Sequence, residues 1–319
     1  MFKGSIATDN MDEVVSALKS AAEPTRLRLL QLLAHAEYTV GELCAVLGQS
    51  QPRVSRHLRL LTEAGFLDRF REQQCVYYRT PVGGRKLEWL RQVLAMIDPD
   101  TAVLRLDRER AARIVGDRAR VAAQELGAAP AISEQEALSS RVLEALGPAT
   151  VGELLDIGTG SGLMLAILGP RARRAVGIDI SAPALRLART RIHGAGLSHC
   201  EFRRGDMYRL PFDDASFDTV TIDRVLAGAE RPAAVLSEIA RVLRPSGRVV
   251  LVEDFDQMDN RGTDNPLSQL RRWFAAAGLQ TDRLHPGDLA GRHVIVALAQ
   301  HAPRRSSAVL PSQHAAGHA

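Results

Sequence analysis

Aromatic residues are scarce in this chain: eight Phe, four Tyr and two Trp make up only 4% of its 319 residues. That leaves little material for an aromatic-lined pocket. Cysteine is scarcer still. Cys44, Cys75 and Cys200 are odd in number and far apart, a pattern that describes no disulfide framework. No run of about 18 apolar residues occurs, so no membrane span is expected. The opening MFKGSIATDNMDEVV holds no apolar stretch of the secretory kind. A reducing cytoplasm is the expected setting. Histidines fall without neighbours of ligating type: His193, His199 and His285 are expected at the surface, and His301, His314 and His318 lie in a Ser/Ala/Pro-rich tail. No metal site is expected from any of them. What is present is ordinary for a globular protein, 45% hydrophobic and 24% charged, and the length suggests two domains.

The basic residues are not evenly placed. Between residues 50 and 91 stand Arg53, Arg56, Arg59, Arg69, Arg71, Arg79, Arg85, Lys86 and Arg91, opposed only by Glu63, Asp68, Glu72 and Glu88, so this segment alone can supply the net charge of +4. The same region reads as helix, helix, short helix, turn, longer helix and hairpin. Residues 11–35 carry a helix pair with Pro24 at a first helical position, where its missing N–H costs nothing. TVGELCAVLG reads as a short helix capped by Thr39 and stopped by Gly48. QPRVSRHLRLLTEAG follows, with Ser50 as cap and Val54, Leu58 and Leu61 facing inward. FLDRF and CVYYRT read as hairpin strands across REQQ, with one of Tyr77 and Tyr78 expected in the core and the other free for backbone contact. An α-helix fits the major groove and presents its first residues to base edges. Here those are Ser50, Gln51, Arg53, Ser55, Arg56 and His57, with Arg69, Arg71 and Gln73 on the hairpin aimed at phosphates.

The strings AAEPTRLRLLQLL, TVGELCAVLGQSQPRVSRHLRLLTEAGFLDRF and VYYRT resemble the ArsR/SmtB family of bacterial repressors over roughly residues 15–80. The resemblance implies a homodimer that reads an inverted-repeat operator in double-stranded DNA. Metal sensing, frequent in that family, finds no support. Ala45 and Val46 follow Cys44 where an arsenic sensor would carry a second thiolate, and RKLEWLRQVLAMIDPD, after the hairpin, contains no His. Cys44 reads as a small core residue.

From residue 151 the pattern changes to strands alternating with helices, which argues for a parallel sheet. VGELLDIGTGSG is a strand ending at Asp156, followed by Gly158, Gly160 and Gly162, which let the backbone turn sharply and approach a ligand. AVGIDIS ends a second strand at Asp179, about 20 residues on, where a carboxylate can accept from ribose hydroxyls. EFRRGDMYRLPF places Asp206 after a third strand, within reach of an adenine amino group. FDTVTIDRVL is a fourth strand, and VLSEIARVLRPSGRVVLVEDF a helix, turn and fifth strand.

These elements resemble class I S-adenosylmethionine-dependent methyltransferases over residues 138–300. The fold expected is α/β: an N-terminal winged helix-turn-helix and a Rossmann-like domain with a mostly parallel seven-stranded sheet. The domains expected are 1–98 (DNA-binding), 99–148 (helical linker and dimerisation), 149–300 (nucleotide-binding) and 301–319 (disordered tail). The resemblance implies that Asp156, Gly158, Thr159, Gly160, Gly162, Asp179, Ile180, Asp206, Met207 and Asp223 bind S-adenosylhomocysteine or S-adenosylmethionine. For catalysis the residues say less. The turn after the fourth strand reads Asp223-Arg224-Val225-Leu226-Ala227-Gly228, without the histidines that fused relatives carry there, and DQMDNRGTDNPLSQ makes a poor lid. Asp223 remains the one candidate base. The whole arrangement resembles the S-adenosylhomocysteine-responsive repressors of the methionine cycle. That implies a sensor whose helices between 85 and 130 carry the signal; an active small-molecule methyltransferase with a DNA-binding arm stays open beside it.

Overall fold

The structure is a computed structural model that describes residues 10–72, 74–81, 85–126, 132–259, 265–289 and 291–303. The expectations for Gln73, for the break at 127–130 and for nearly all of the tail lie outside these residues. The first half folds as α1 (Asn10–Ala21), α2 (Pro24–Leu33), β1 (Tyr38–Thr39), α3 (Val40–Leu47), α4 (Gln51–Glu63), β2 (Asp68–Glu72) and β3 (Cys75–Arg79). Local chemistry sets the ends. Pro24 opens α2, with the Glu23 carboxylate accepting from the Arg26 amide. Thr39 and Glu42 form a reciprocal capping box on α3, and Gly48, at φ +65°, closes it in the left-handed conformation. Ser50 stands at the N-cap of α4, but its hydroxyl makes no capping bond. Val54, Leu58 and Leu61 are fully buried with Leu29, Leu30, Leu43 and Val46. The hairpin β2–β3 takes β1 as a third strand in the order β1-β3-β2. This is a winged helix-turn-helix.

The helices α5 (Arg85–Ala95), α6 (Ala102–Leu126) and α7 (Ile132–Leu146) lead to the second half. It runs β4 (Gly152–Ile157), α8 (Leu163–Leu168), β5 (Ala172–Asp179), α9 (Ala182–Gly194), β6 (Cys200–Arg204), β7 (Phe217–Asp223), α10 (Pro232–Val242), β8 (Leu243–Asp254), α11 (Phe255–Asp259), α12 (Pro266–Ala276), β9 (Leu279–Leu289) and β10 (Arg292–His301). Seven strands form one sheet in the order β6-β5-β4-β7-β8-β10-β9, in which β10 runs antiparallel to its neighbours and the rest are parallel. Leu154, Leu155, Val176, Val220, Ile222, Val249, Val250 and Leu251 are buried to the last atom, as strands covered by helices on both faces must be. The Pro-Ser-Gly turn expected before the fifth strand is absorbed into the start of β8. This is the class I methyltransferase fold. Strand order reverses between β4 and β7, so a crevice opens beyond their carboxyl ends.

The two halves dock directly. Helix α6 packs on α2 and α3 on one side and on α9 on the other. Arg189 of α9 is completely buried, and its Nε donates to Glu37 Oε2 at 2.5 Å. Arg79 bridges the same carboxylate at 3.2 Å and Glu201 of β6 at 3.0 Å. The Arg189 guanidinium lies 4.8 Å from the centre of the Tyr77 ring and 5.6 Å from that of Phe202. This corrects the expectation for the two tyrosines: both are buried, because the second domain covers the hairpin face that a lone winged helix would leave open. His193 is corrected as well. It is half-buried at this junction, edge-on to Phe202, and enclosure lowers its pKa to about 4. His199 is half-buried and bonds the Gly169 carbonyl at 2.9 Å, whereas His285 is exposed as expected.

Candidate functional site

The loop leaving β4 turns through Gly158, Gly160 and Gly162, all at positive φ. It faces the turn leaving β7, and together they line a cavity of about 150 Å³ with Asp156, Gly158, Thr159, Gly160, Ser161, Asp223 and Arg224 on its walls. Each glycine has a separate reason. A Cβ on Gly158 would overlap Cγ2 of Val225, and one on Gly162 would press on Ala188 of α9, whereas Gly160 is free of side-chain contacts and keeps its backbone open. Asp179, at the end of β5, accepts from the Gly160 amide at 2.9 Å and from the Ser181 amide at 2.8 Å. One carboxylate therefore ties the glycine loop to the start of α9. The next side chain, Ile180, is 67% exposed, a bare apolar surface beside that acid. Asp206 is exposed on the loop after β6, where it accepts from the Tyr208 amide, and the half-buried Met207 packs beside it; neither lines the 150 Å³ cavity. A glycine loop with room at Gly160, a carboxylate at the end of β5 and an uncovered Ile180 form a set that could hold an adenosyl nucleotide.

Asp156 is turned inward. It accepts from the Thr159 hydroxyl at 2.6 Å and from the Thr221 hydroxyl of β7 at 2.7 Å. Burial pushes its carboxyl from 3.8 up to about 7, against the pull of the two hydroxyls and with Asp223 and Asp179 adding to the rise. Its first task is to fix the loop. An acid harder to ionise when folded than when unfolded removes stability as pH rises between the two values. Asp156→Asn should therefore gain on the parent protein as pH rises from 3.8 to about 7, read as urea midpoints at successive pH values. Parallel curves for the two proteins would contradict the assignment.

Beyond β7 and β8 the charge is mostly negative. Burial also raises Asp223 and brings Glu253 up to about 7, although the latter accepts from the Leu226 and Ala227 amides. Arg224 is the counter-charge. It binds Asp223 through two nitrogens at 2.9 and 3.1 Å and reaches Glu134 of α7 at 3.0 Å, from a backbone held at φ +54°. A left-handed arginine stores strain of about 1 kcal/mol or more. Glu253 Oε2 and Asp254 Oδ1 are enclosed without hydrogen-bond partners among the described residues.

On the winged helix, Ser50, Gln51, Arg53 and Arg56 of the α4 face are exposed, as are Arg69 and Arg71 of β2, while Ser55 is half-buried. His57 turns back towards α2, with Nδ1 3.7 Å from Glu23, and burial lowers its pKa despite that carboxylate. Helix α4 packs on α1, α2 and α3.

Sequence reasoning missed Glu37, Arg189, Arg224 and Glu134. A signal existed for one of them. Leu185, Ala188, Arg189 and Ile192 share one helical stripe, so an arginine stands in an apolar face and needs a buried partner.

Residues 23–69 match the family described as "Bacterial regulatory protein, arsR family", and residues 155–251 match "Methyltransferase domain". The chain joins an arsR-family helix-turn-helix to a class I methyltransferase domain. Similar curated proteins include a demethylmenaquinone methyltransferase of Clavibacter sepedonicus, 38% identical over 34% of this chain and 44% of that one. An uncharacterized 37.1 kDa protein in transposon TN4556 of Streptomyces fradiae is 38% identical over 37% and 35%. A phosphatidylethanolamine N-methyltransferase of Cereibacter sphaeroides is 38% identical over 33% and 51%. The chain spans about half the length of the curated relatives it matches. Among solved structures, a SAM-dependent methyltransferase from Aquifex aeolicus is 19% identical with a TM-score of 0.43, covering 50% of this chain and 88% of that one. No described helix is long and apolar enough to cross a membrane.

Proposed function

We propose that the protein is a dimeric, cytoplasmic DNA-binding regulator whose methyltransferase-fold domain senses S-adenosylhomocysteine or S-adenosylmethionine. The observation that carries this reading is the buried Arg189–Glu37 pair. It fastens the winged helix to α9, the helix that begins beside Asp179. A sensor needs such a joint, because a ligand shifts DNA affinity only through contacts that differ between two states. Asp179 would take the ribose hydroxyls, Ile180 and Met207 the adenine faces, and Asp206 the adenine amino group. The loop from Gly158 to Gly162, set by Asp156 and Thr159, would border the amino-acid end, with Asp223 opposite. Gln51, Arg53 and Arg56 would read the major groove of an inverted repeat, supported by Ser50, Ser55 and His57 and by the wing through Arg69 and Arg71. Beside the route expected through the helices between 85 and 130, α9 itself meets the wing, where Arg189 lies over Tyr77.

Two substitutions separate the halves, read by titration calorimetry with both sulfur nucleotides and by retention of duplexes that the protein itself selects from a random pool. Arg53→Ala should lose about 1–3 kcal/mol of DNA binding with nucleotide binding intact. Asp179→Ala should lose more than about tenfold in nucleotide affinity and the whole ligand effect on DNA, a coupling of about 1–3 kcal/mol. DNA affinity that responds to nucleotide equally well in Asp179→Ala would refute the sensor.

For the dimer, α1 supplies a surface beside the helices of 99–148 expected from the sequence, whose Val103, Leu106 and Val121 are also exposed. Met11, Val14, Val15 and Leu18 are exposed at helical spacing, an apolar stripe left uncovered among the described residues of one subunit. Leu18→Glu should shift sedimentation towards monomer and weaken binding to a two-fold site; an unchanged mass would discard this face as the interface.

An active methyltransferase with a DNA-binding arm is the second reading. The similarity to the demethylmenaquinone and phosphatidylethanolamine enzymes favours it, as do Glu253 Oε2 and Asp254 Oδ1 at the end of β8, which have no hydrogen-bond partner among the described residues. S-adenosylmethionine would supply the methyl group. This chain's own part would be to orient the acceptor and, through Asp223 or Glu253, to take a proton from it. Sustained turnover of labelled S-adenosylmethionine by the purified protein with cell extract would support it, and a ligand response on DNA without turnover would oppose it.

A further inference from the structure

Where the wing meets the edge of the large sheet there is a second cleft, of about 270 Å³, that shares no lining residue with the cavity at the glycine loop. Phe70, Arg71 and Arg79 of the wing form one wall, and Phe202, Arg203 and Arg204 of β6 the other. Four of the six lining residues are arginines and none is acidic. The acids nearby are engaged in the interior. Glu201, whose side chain is 5% exposed, is bonded to Arg79, Arg174 and Arg203, and Glu37 is held by Arg189 and Arg79. Arg204 is exposed and its Nε donates to a carbonyl, that of Ile180, at 3.0 Å, so its charge faces outward uncompensated by that bond. Strand β6 is also the last strand of the sheet, so among the described residues one row of its backbone groups has no ladder partner.

Guanidinium groups over an open edge are suited to phosphate oxygens, which they bind through paired N–H donors. The cleft is continuous with the exposed face of the wing, and a wing lies along the DNA backbone. Because Arg189 and Arg79 lock β6 against β2 and β3, the arginines of β6 travel with the wing wherever it docks. We propose that Arg203 and Arg204 of the methyltransferase-fold domain act with Arg71 as a clamp on DNA backbone phosphates, so that this domain is itself part of the DNA-binding surface. The inference rests on the DNA-binding reading above and extends it: two of the clamp's three arginines belong to the domain taken as the sensor. Through the Ile180 carbonyl, Arg204 also touches the residue next to Asp179, so nucleotide at Ile180 and phosphate at Arg204 act on adjoining ends of β5 and β6.

The test uses the full chain and a long mixed-sequence duplex, because phosphate contact needs no operator. Affinity is measured by fluorescence anisotropy across a salt series. Each phosphate contact removed should flatten the slope of log K against log salt by about 1. Arg204→Ala should flatten it by about 1, the pair Arg203→Ala/Arg204→Ala by about 2, and Arg204→Lys by less. Arg283→Ala, on the opposite edge strand β9, should leave it unchanged. Thermal midpoints of the variants check that the fold persists. Since Arg204 is exposed and makes no ion pair among the described residues, its single variant decides the outcome if the double variant fails to fold. Unchanged slopes for both Arg204→Ala and the double variant, with Arg53→Ala still weakening binding, would overturn the clamp and leave the DNA-binding reading standing. No effect from Arg53→Ala either would count against that reading itself. Saturable binding of inorganic pyrophosphate to the cleft, with DNA slopes unmoved by Arg204→Ala, would likewise overturn the clamp in favour of a small-anion site.

Discussion

Arg189→Met is expected to cost about 3 kcal/mol, at the lower end of the range for breaking a buried ion pair. The cost arises because Glu37, with its side chain 3% exposed, would keep its charge and lose its nearest partner. Arg79, 3.2 Å away, would still offset part of it. The loss should appear in urea as an early transition in which the winged helix parts from the large domain, and as new protease cleavage near α6. Glu37→Gln together with Arg189→Met should recover part of the loss, since neither charge is then left alone. Acid should act on the same joint. Burial by itself would raise the Glu37 carboxyl, but Arg189, His193 and Arg79 more than offset this and hold it below 4.5. A group depressed in this way contributes stability above its unfolded value and withdraws it as pH falls through the folded one. The parent should therefore lose the joint below about 4.5, while the double variant should show little of that dependence. An Arg189→Met protein within about 0.5 kcal/mol of the parent, still coupling nucleotide to DNA, would remove the joint from the mechanism.

Gly158→Ala is expected to abolish measurable nucleotide binding and to destabilise the large domain. Two costs combine. At φ +64° a Cβ is disfavoured by about 1 kcal/mol or more, and the added methyl would occupy the place of Val225 Cγ2. The loop would have to retreat, taking the Gly160 amide from Asp179. Val225→Ala in the same chain should relieve the overlap and restore part of the stability, but not the backbone strain. Calorimetry with S-adenosylhomocysteine and a thermal melt would read both effects. If Gly158→Ala bound nucleotide as the parent does, the glycine loop would not be the ligand's cradle.

Much of the fold is local chemistry, and local chemistry is legible in a sequence. Thr39 with Glu42, Gly48, and Val54-Leu58-Leu61 mark helix ends and faces by spacing alone. The apolar runs that end at Asp156, Asp179 and Asp223 mark parallel strands in the same way. The site was legible only in its outline. Asp156 could be placed at a strand end, but its inward turn depends on the Thr221 hydroxyl of β7, which sequence order does not bring near. Arg224 follows Asp223 plainly enough, yet its left-handed backbone and its bond to Glu134 exist only once α7 lies over the sheet.

The two domain types, their order, the arginines of α4 and the glycine loop could be read before any folding was seen, because each is written in spacings of a few residues. That Arg189 meets Glu37, that Tyr77 is covered, and that Arg203 and Arg204 stand beside the wing came from the packing of one domain on the other. Those pairings cross the domain junction, where free energy is set by which buried charges find partners and not by their distance along the chain.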